Sequence, residues 1–170
     1  MRVYKGIFIL VISMIALTVV SAFYGTQPLG MLELKMSEFS KDTQKQIKCL
    51  AENIYYEAGY EPKDGQVAVA LVTMNRVQDP RFPKDICGVV KQKTTSVCQF
   101  SWFCEPRKHV NEKVYNDNLE VAVYVYANYE NLSDLTKGAK YYHADYVNPH
   151  WRNLEKTTKI GRHIFYKEKD

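Results

Sequence analysis

The segment CLAENIYYEAGYEPKDGQ, residues 49–66, decides the fold of this chain. Apolar residues in and just before it recur at the spacing of an amphipathic helix, at Ile47, Leu50, Ala51, Ile54, Tyr55 and Ala58. At about 100° per residue, Glu57 projects within roughly 20° of Leu50, at the edge of the apolar stripe. Partial shielding from water disfavours the charged form of a carboxyl group, which can then hold a proton near neutral pH. The pattern therefore predicts a helix with a candidate general acid at Glu57.

This helix is expected to end within a turn of Glu57. Gly59 is a candidate terminator, and Pro62 disfavours the α conformation at Glu61. Catalytic side chains often lie where a rigid element gives way to a loop. The alternative for Glu57 is a structural glutamate that pairs with a lysine or accepts a hydrogen bond from a backbone N–H.

The N-terminal residues have the composition of an export signal. Arg2 and Lys5 precede a run without charge from Gly6 to Tyr24, and the run contains a candidate cleavage site after Ala22. The run is also long enough to span a bilayer. Residues 1–22 are therefore expected to be a cleaved signal peptide or an uncleaved signal anchor that holds the protein to the membrane through residues 6–24. In both cases the rest of the chain is exported, to the periplasm, the medium or the outer face of the cytoplasmic membrane.

The remaining chain is expected to form one domain with little net charge. The formal charge of +4 becomes +2, from 21 basic and 19 acidic residues, when residues 1–22 are removed. This balance predicts no nucleic-acid partner. Residues 23–40 have no sustained periodicity and are expected to be a linker, and residues 41–170 are expected to form the domain, which we take to be a monomer.

The exported part contains all four cysteines, Cys49, Cys87, Cys98 and Cys104. Outside the cytoplasm an even number of cysteines predicts disulfides. Their spacings do not match paired zinc ligands, and the sequence has no His-Glu-x-x-His motif, so no metal is expected. Four cysteines allow three pairings. We expect Cys87 to pair with Cys98 in a short loop, which leaves Cys49 to pair with Cys104.

Periodicity predicts a mainly helical α+β fold. Helices are expected from Ser40 or Asp42 to about residue 58, from residues 62–64 to about residue 77, and over residues 111–128. Residues 80–110 are rich in turns. Two segments rich in β-forming residues, 139–143 and 160–166, predict a small hairpin.

Several motifs recur in a specific order, and they carry a family resemblance. They are Tyr55-Tyr-Glu57-Ala with Gly65-Gln66-Val-Ala-Val-Ala70, Thr73-Met-Asn75-Arg76-Val, Phe82-Pro83-x-x-Ile-Cys87-Gly88-Val-Val, Cys98-Gln99-Phe100-Ser101-Trp102, Gly138-Ala-x-Tyr-Tyr-His143-Ala-Asp145-Tyr-Val-Asn148-Pro149-x-Trp151 and Gly161-Arg-His163-Ile-Phe-Tyr166. In this order they resemble the SleB/CwlJ-type cell-wall hydrolase family, the spore-cortex-lytic enzymes and their bacterial and phage relatives, over about residues 47–167. Each motif is weak alone, but the ordered set is specific.

The resemblance implies a lysozyme-like, goose-type fold that cleaves the glycan strand of peptidoglycan without a cofactor. The family's catalytic glutamate falls on Glu57. Members behave as lytic transglycosylases, with one catalytic acid and 1,6-anhydromuramyl products. The usual Glu-Ala-Arg-Gly-Glu-Pro is here Glu57-Ala-Gly59-Tyr60-Glu61-Pro62. The missing arginine puts in doubt the charge pairing near the acid and the substrate preference.

Around Glu57, polar and aromatic side chains are candidates for binding sugar hydroxyls, N-acetyl groups and ring faces. They are Gln99, Ser101, Trp102, Tyr142, His143 and Trp151. Core packing is the alternative for the two tryptophans, and a structural role is the alternative for His143. Asn75 is a further candidate, although we expect Asn75 and Arg76 to cap the end of their helix.

Two questions of mechanism stay open at this point. A glycosidase commonly needs two carboxyl groups, about 5–5.5 Å or roughly 6.5–9.5 Å apart. The candidate partners of Glu57 are Glu61, Asp64, Glu105 and Asp145. The alternative functions are a non-catalytic peptidoglycan-binding module and a metal-dependent N-acetylmuramoyl-L-alanine amidase, whose ligands would come from His109, His143, His150 and His163.

Overall fold

A computed structural model describes residues 35–95, 97–105 and 110–169 of the chain. Its helices are α1 (Lys41–Ala58), α2 (Lys63–Gln78), α3 (Ile86–Val90), α4 (Ser101–Cys104) and α5 (Glu112–Asn128), and its strands are β1 (Tyr141–Ala144), β2 (Leu154–Ile160) and β3 (His163–Glu168). Short 3₁₀ turns lie at Met36–Glu38, inside the expected linker, and at Tyr129–Asn131. The expected export signal lies outside the described residues. Within them, every helix is too short or too polar to span a membrane.

Helix α1 begins and ends where the sequence predicts. The Ser40 side chain accepts a hydrogen bond from the Thr43 backbone N–H at 3.1 Å and so caps the first turn. The helix ends at Ala58, with Gly59 as its C-cap. The apolar stripe is fully buried at Ile47, Leu50, Ala51 and Ile54. Glu57 therefore lies in the last turn of a helix that is fixed by its own buried face.

Helix α2 carries apolar residues on two sides, and each side packs into a different hydrophobic core. Ala70, Leu71 and Met74 belong to a core shared with α1 and α5. Ala68 and Val72 belong to a second core with Ala139 and Phe165 of the sheet region. The helix thus connects the helical part of the domain to the sheet, and both parts take their position from it.

The strands form an antiparallel sheet in the order β1-β3-β2. Residues Tyr142 and Phe165 are opposite each other in the β1–β3 pair. The predicted hairpin is therefore part of a three-stranded sheet, and β2 is the strand that the sequence did not predict. Its sequence, LEKTTKI, carries charged residues at exposed positions. The α+β fold class is confirmed.

The turn between β2 and β3 is held against the end of α1. Gly161 has a φ of +55°, which favours glycine, and a Cβ atom there would overlap the Glu61 carboxylate. The Glu61 carboxylate accepts a hydrogen bond from the Arg162 backbone N–H at 3.0 Å. The positive φ therefore favours glycine at this point of the turn, and the close approach of the Glu61 carboxylate fits the missing side chain.

All four cysteines are paired, but the expected pairing is wrong. Cys49 pairs with Cys87, with a Cα–Cα distance of 5.2 Å, and Cys98 pairs with Cys104, with a Cα–Cα distance of 6.1 Å. The physical reason is the packing of α3 on α1, where the Cys87 backbone N–H donates a hydrogen bond to Gln46 Oε1 at 2.9 Å. This contact brings Cys87 to Cys49, a proximity that sequence spacing does not reveal.

We expect the Cys49–Cys87 disulfide to contribute more stability than the Cys98–Cys104 disulfide. The first spans 38 residues and the second spans 6, and a longer closed loop removes more entropy from the unfolded chain. Replacing Cys49 and Cys87 with serine should lower the free energy of unfolding by about 2–4 kcal/mol. Urea unfolding of the oxidised protein measures this loss, with the Cys98→Ser/Cys104→Ser variant as the matched control. A larger loss in the control, or four reactive thiols in the exported protein, would contradict the expectation.

Candidate active site

The carboxyl group of Glu57 is partly buried at the end of α1 and is held by one hydrogen bond. Tyr142 Oη donates to Glu57 Oε2 at 3.1 Å. Burial raises the pKa of Glu57, while the Tyr142 hydrogen bond and the positive charge of Arg76 act in the opposite direction and offset part of the rise. The net effect is a pKa above that of an ordinary glutamate. Glu57 therefore keeps its proton to higher pH than an exposed glutamate does, as a general acid requires.

Tyr142 is suited to be a permanent donor to Glu57. Its ring packs at 5.7 Å from Phe165 and at 5.2 Å, edge to face, from His163. Burial and the charge of Glu57 raise the pKa of Tyr142 well above its ordinary value. The hydroxyl thus stays protonated near neutral pH. The sequence suggested Tyr142 as a substrate contact, whereas the structure places its hydroxyl on Glu57.

The ring of Trp102 is covered by its packing in the core. It is 8% exposed and stacks on Tyr56, the residue before Glu57, with ring centroids 4.5 Å apart. Gln99 and Ser101, which precede it in the same motif, are exposed. Trp102 thus packs in the core, as the alternative interpretation of the sequence expected, and Gln99 and Ser101 are the accessible polar groups of this motif.

His143 and Trp151 lie on the face of β1 opposite to Tyr142. Successive residues of a strand point to opposite faces, so His143 does not share the face on which Tyr142 meets Glu57. His143 Nε2 lies 3.0 Å from the Tyr166 hydroxyl, and Trp151, 39% exposed, packs edge to face against the rings of His143 and Tyr166. The structure therefore separates this aromatic group from the Glu57–Tyr142 pair.

Asn75 and Arg76 do not cap their helix, contrary to expectation. Asn75 Nδ2 donates to Asp134 Oδ2 at 2.9 Å and to the Ala139 carbonyl at 3.1 Å. Arg76 Nε donates to the Lys140 carbonyl at 2.7 Å. Both side chains thus bind the segment that leads into β1, which carries Tyr142. The sequence offered a weak signal for this role, namely two polar residues inside an otherwise apolar helix.

Each of the other candidate carboxylates either has a partner other than Glu57 or is exposed to solvent. Glu61 accepts the hydrogen bond from Arg162, and Asp145 pairs with Lys159 at 2.9 Å. Asp64 and Glu105 are exposed. Among the described residues, none of these four carboxylates therefore contacts Glu57 directly.

The histidines proposed as amidase ligands are dispersed. His109 lies outside the described residues, His150 is exposed, and His163 is buried beside Tyr142, where burial lowers its pKa. Across residues 35–95, 97–105 and 110–169, no three His, Cys, Asp or Glu side chains form a group that could hold a metal ion.

Position 59, where the family usually has arginine, has no room for a side chain in this chain. A Cβ atom at Gly59 would overlap the Tyr55 carbonyl oxygen and lie 3.2 Å from Asn118 Oδ1. The Gly59 carbonyl also accepts hydrogen bonds from Gln66 and Asn118. The positive charge of Arg76, on α2, acts on Glu57 in this chain.

Comparisons with known proteins agree with this architecture. The model of a family described as cell wall hydrolase matches residues 60–166, a range that begins just after Glu57. The spore cortex-lytic enzyme of Bacillus subtilis (strain 168) is 30% identical over 127 residues, which cover 70% of this chain and 36% of that protein. The chain spans less than half of the length of the curated relatives it matches.

Two solved structures are similar in fold and sequence. The catalytic domain of the Bacillus cereus SleB protein has a TM-score of 0.53 at 30% identity, over 73% of this chain and 91% of that one. The catalytic domain of the germination-specific lytic transglycosylase SleB from Bacillus anthracis has a TM-score of 0.55 at 30% identity, over 76% of this chain and 97% of that one.

Substituting Tyr142→Phe should raise the pKa of Glu57 further. The hydroxyl stabilises the charged carboxylate, so its loss favours the protonated form, while the ring and its packing are kept. A ¹³C NMR titration of the Glu57 carboxyl group measures the change. Tyr146→Phe is the matched control, because Tyr146 is 76% exposed. An unchanged or lowered pKa in Tyr142→Phe would show that the hydrogen bond does not act on the carboxylate.

Proposed function

The chain belongs to the cell wall hydrolase family, and on that premise we propose that it cleaves the glycan strand of peptidoglycan as a lytic transglycosylase, with Glu57 as its single general acid and base. The observation that carries this proposal is the partly buried Glu57 carboxyl group, whose pKa is raised and whose orientation is fixed by Tyr142. The similarity to a lytic transglycosylase catalytic domain over most of its length supports the same reaction.

In the first half of the reaction, Glu57 acts as the acid. It transfers its proton to the glycosidic oxygen that leaves the muramyl C1 atom, and the C1–O bond breaks with positive charge developing on the sugar ring. Tyr142 occupies Oε2 of the carboxyl group, so Oε1 is the oxygen that carries the transferable proton. We therefore assign Oε1 as the oxygen that faces the substrate.

In the second half, the Glu57 carboxylate acts as the base. It accepts the proton from the 6-hydroxyl group of the same muramyl residue, and the 6-oxygen forms a bond to C1 and closes the 1,6-anhydro ring. No water is consumed, and Glu57 ends the cycle protonated, as it began. The Tyr142 hydroxyl stabilises the carboxylate that exists between the two proton transfers.

The positions of the other carboxylates support a single-glutamate mechanism. A hydrolytic enzyme would need a second carboxylate near Glu57 to activate water. Glu61 is bound to the β2–β3 turn through Arg162, and Asp145 is paired with Lys159, an interaction that lowers the pKa of Asp145. Each of these two carboxylates is thus held by a partner other than Glu57.

We also propose different roles for the candidate substrate-binding residues. Gln99 and Ser101 are exposed in the motif that carries Trp102, and we assign them hydrogen bonds to sugar hydroxyls and N-acetyl groups, while the buried Trp102 ring packs on Tyr56. Trp151 offers a stacking face on the outer side of the sheet, away from the Glu57–Tyr142 pair. An exported enzyme meets this substrate outside the cytoplasm.

Glu57→Gln should abolish cleavage of purified peptidoglycan and leave the fold intact. The amide keeps the shape of the side chain but has no proton to transfer, and general acid–base catalysis contributes about 10²–10⁴-fold. The matched control is Glu61→Gln, because an amide oxygen still accepts the hydrogen bond from Arg162. Near-normal turnover by Glu57→Gln would refute the assignment. Binding of the glycan without product by the wild-type protein would indicate a binding module.

Mass spectrometry of the digestion products tests the reaction type. A 1,6-anhydromuramyl product is one water lighter than the product of hydrolysis. We expect anhydro products, and we expect EDTA to leave the rate unchanged. Reducing-end products alone would mean that water is the nucleophile, and the search for a base would move to Glu105 and Asp145. A freed stem peptide with loss of activity in EDTA would identify the amidase reaction.

A further inference from the structure

Arg76 is a buried cation in the last turn of α2. It is 3% exposed, and within the described parts of the chain its guanidinium forms no ion pair. Its Nη1 atom is buried and has no hydrogen-bond partner among those residues. A buried charge without a paired carboxylate is costly. The fold must therefore hold Arg76 in place by other contacts.

Those contacts are one strong hydrogen bond and a set of aromatic rings. Arg76 Nε donates to the Lys140 carbonyl at 2.7 Å. The guanidinium carbon lies 5.5 Å from the ring centroid of Phe82, 5.4 Å from that of Phe100 and 6.0 Å from that of Tyr141. Rings at these distances stabilise a cation through its attraction to their faces. The side chain is thus fixed in one position. Burial lowers the pKa of Arg76, but the ordinary pKa of a guanidinium is so high that the group stays charged near neutral pH.

This position connects Arg76 to the acid. Lys140 and Tyr141 directly precede Tyr142, whose hydroxyl holds Glu57. The charge of Arg76 also acts on Glu57 itself and lowers its pKa against the effect of burial. The other titratable groups that face this pair are Tyr141 and Tyr142 of β1, whose pKa values burial raises, and, behind the Tyr142 ring, His163 of β3, whose pKa burial lowers. His163 is therefore neutral near pH 7, and Arg76 is the cation of the site.

We propose that Arg76 is a positioning residue for Glu57, a buried guanidinium that fixes the start of β1 and stabilises the carboxylate form of Glu57 between the two proton transfers. Burial alone would favour the protonated form of Glu57, which suits the acid step. It would also make the carboxylate form, which the base step needs, costly to reach. A fixed positive charge nearby lowers that cost without providing a second proton donor in contact with the sugar. The role in turnover rests on the proposed function, whereas the effect on Glu57 does not.

The test compares Arg76→Gln and Arg76→Lys with Arg81→Gln. Arg81 is exposed and pairs with Asp79 and Glu168, so it controls for the loss of an arginine. A ¹³C titration of the Glu57 carboxyl group, without substrate, is the first readout. We expect its midpoint to move to higher pH in Arg76→Gln, to a smaller extent in Arg76→Lys, and not in Arg81→Gln. A buried lysine loses its proton more readily than arginine, which explains the intermediate shift.

The second readout is turnover of peptidoglycan as a function of pH. Cleavage needs protonated Glu57, so a higher pKa moves the alkaline limb of the kcat/KM profile to higher pH. In Arg76→Gln we expect this shift together with a fall in kcat on the order of tenfold and little change in KM, because Arg76 does not touch the substrate.

An unshifted Glu57 titration in folded Arg76→Gln and Arg76→Lys, with activity lost, would reduce Arg76 to a structural residue and overturn the proposal. Thermal unfolding establishes that each variant is folded. If Arg76→Gln unfolds, Arg76→Lys alone decides, and an unshifted midpoint there overturns the proposal. A Glu57→Gln variant that remains active would refute the proposed function but leave the titration result valid.

Discussion

The hydrogen bond from Tyr142 to Glu57 is the constraint on which the site depends, because it joins the end of the first long helix to the first strand of the sheet. A carboxyl group at a helix end has many rotamers, and burial alone does not choose among them. The hydroxyl fixes one oxygen and leaves the other for the substrate. The rest of the domain can be understood as the means by which these two side chains are brought together and held.

Helix α2 provides most of that support. Its two packed sides locate α1 and the sheet relative to each other, through Leu71 on one side and Val72 on the other. At its end, Asn75 binds Asp134 and the Ala139 carbonyl, and Arg76 binds the Lys140 carbonyl, so the chain enters β1 in a fixed position. These polar contacts lie in the interior, where an unmade hydrogen bond is costly, and they therefore specify a single arrangement.

The sequence predicted what local periodicity determines. Helix α1, its Ser40 cap and the place of Glu57 at the edge of the apolar stripe follow from side-chain spacing within a few turns. The sequence could not predict the contact of Glu57 with a residue 85 positions away. Asn75 and Arg76 were misinterpreted because a polar pair near a helix end is usually a cap. Strand β2 was missed because its charged side chains face solvent, and the disulfide pairing depends on how α3 packs on α1.

The proposed reaction depends on a fold that makes Glu57 a proton donor. The most direct measurement is a ¹³C NMR titration of the wild-type protein with labelled glutamate, in which the Glu57→Gln variant assigns the signal. We expect a midpoint above that of an ordinary glutamate, since burial outweighs the opposing effects of Tyr142 and Arg76. A midpoint at or below the ordinary value would mean that Glu57 is ionised wherever the enzyme works, and the acid would have to be sought elsewhere.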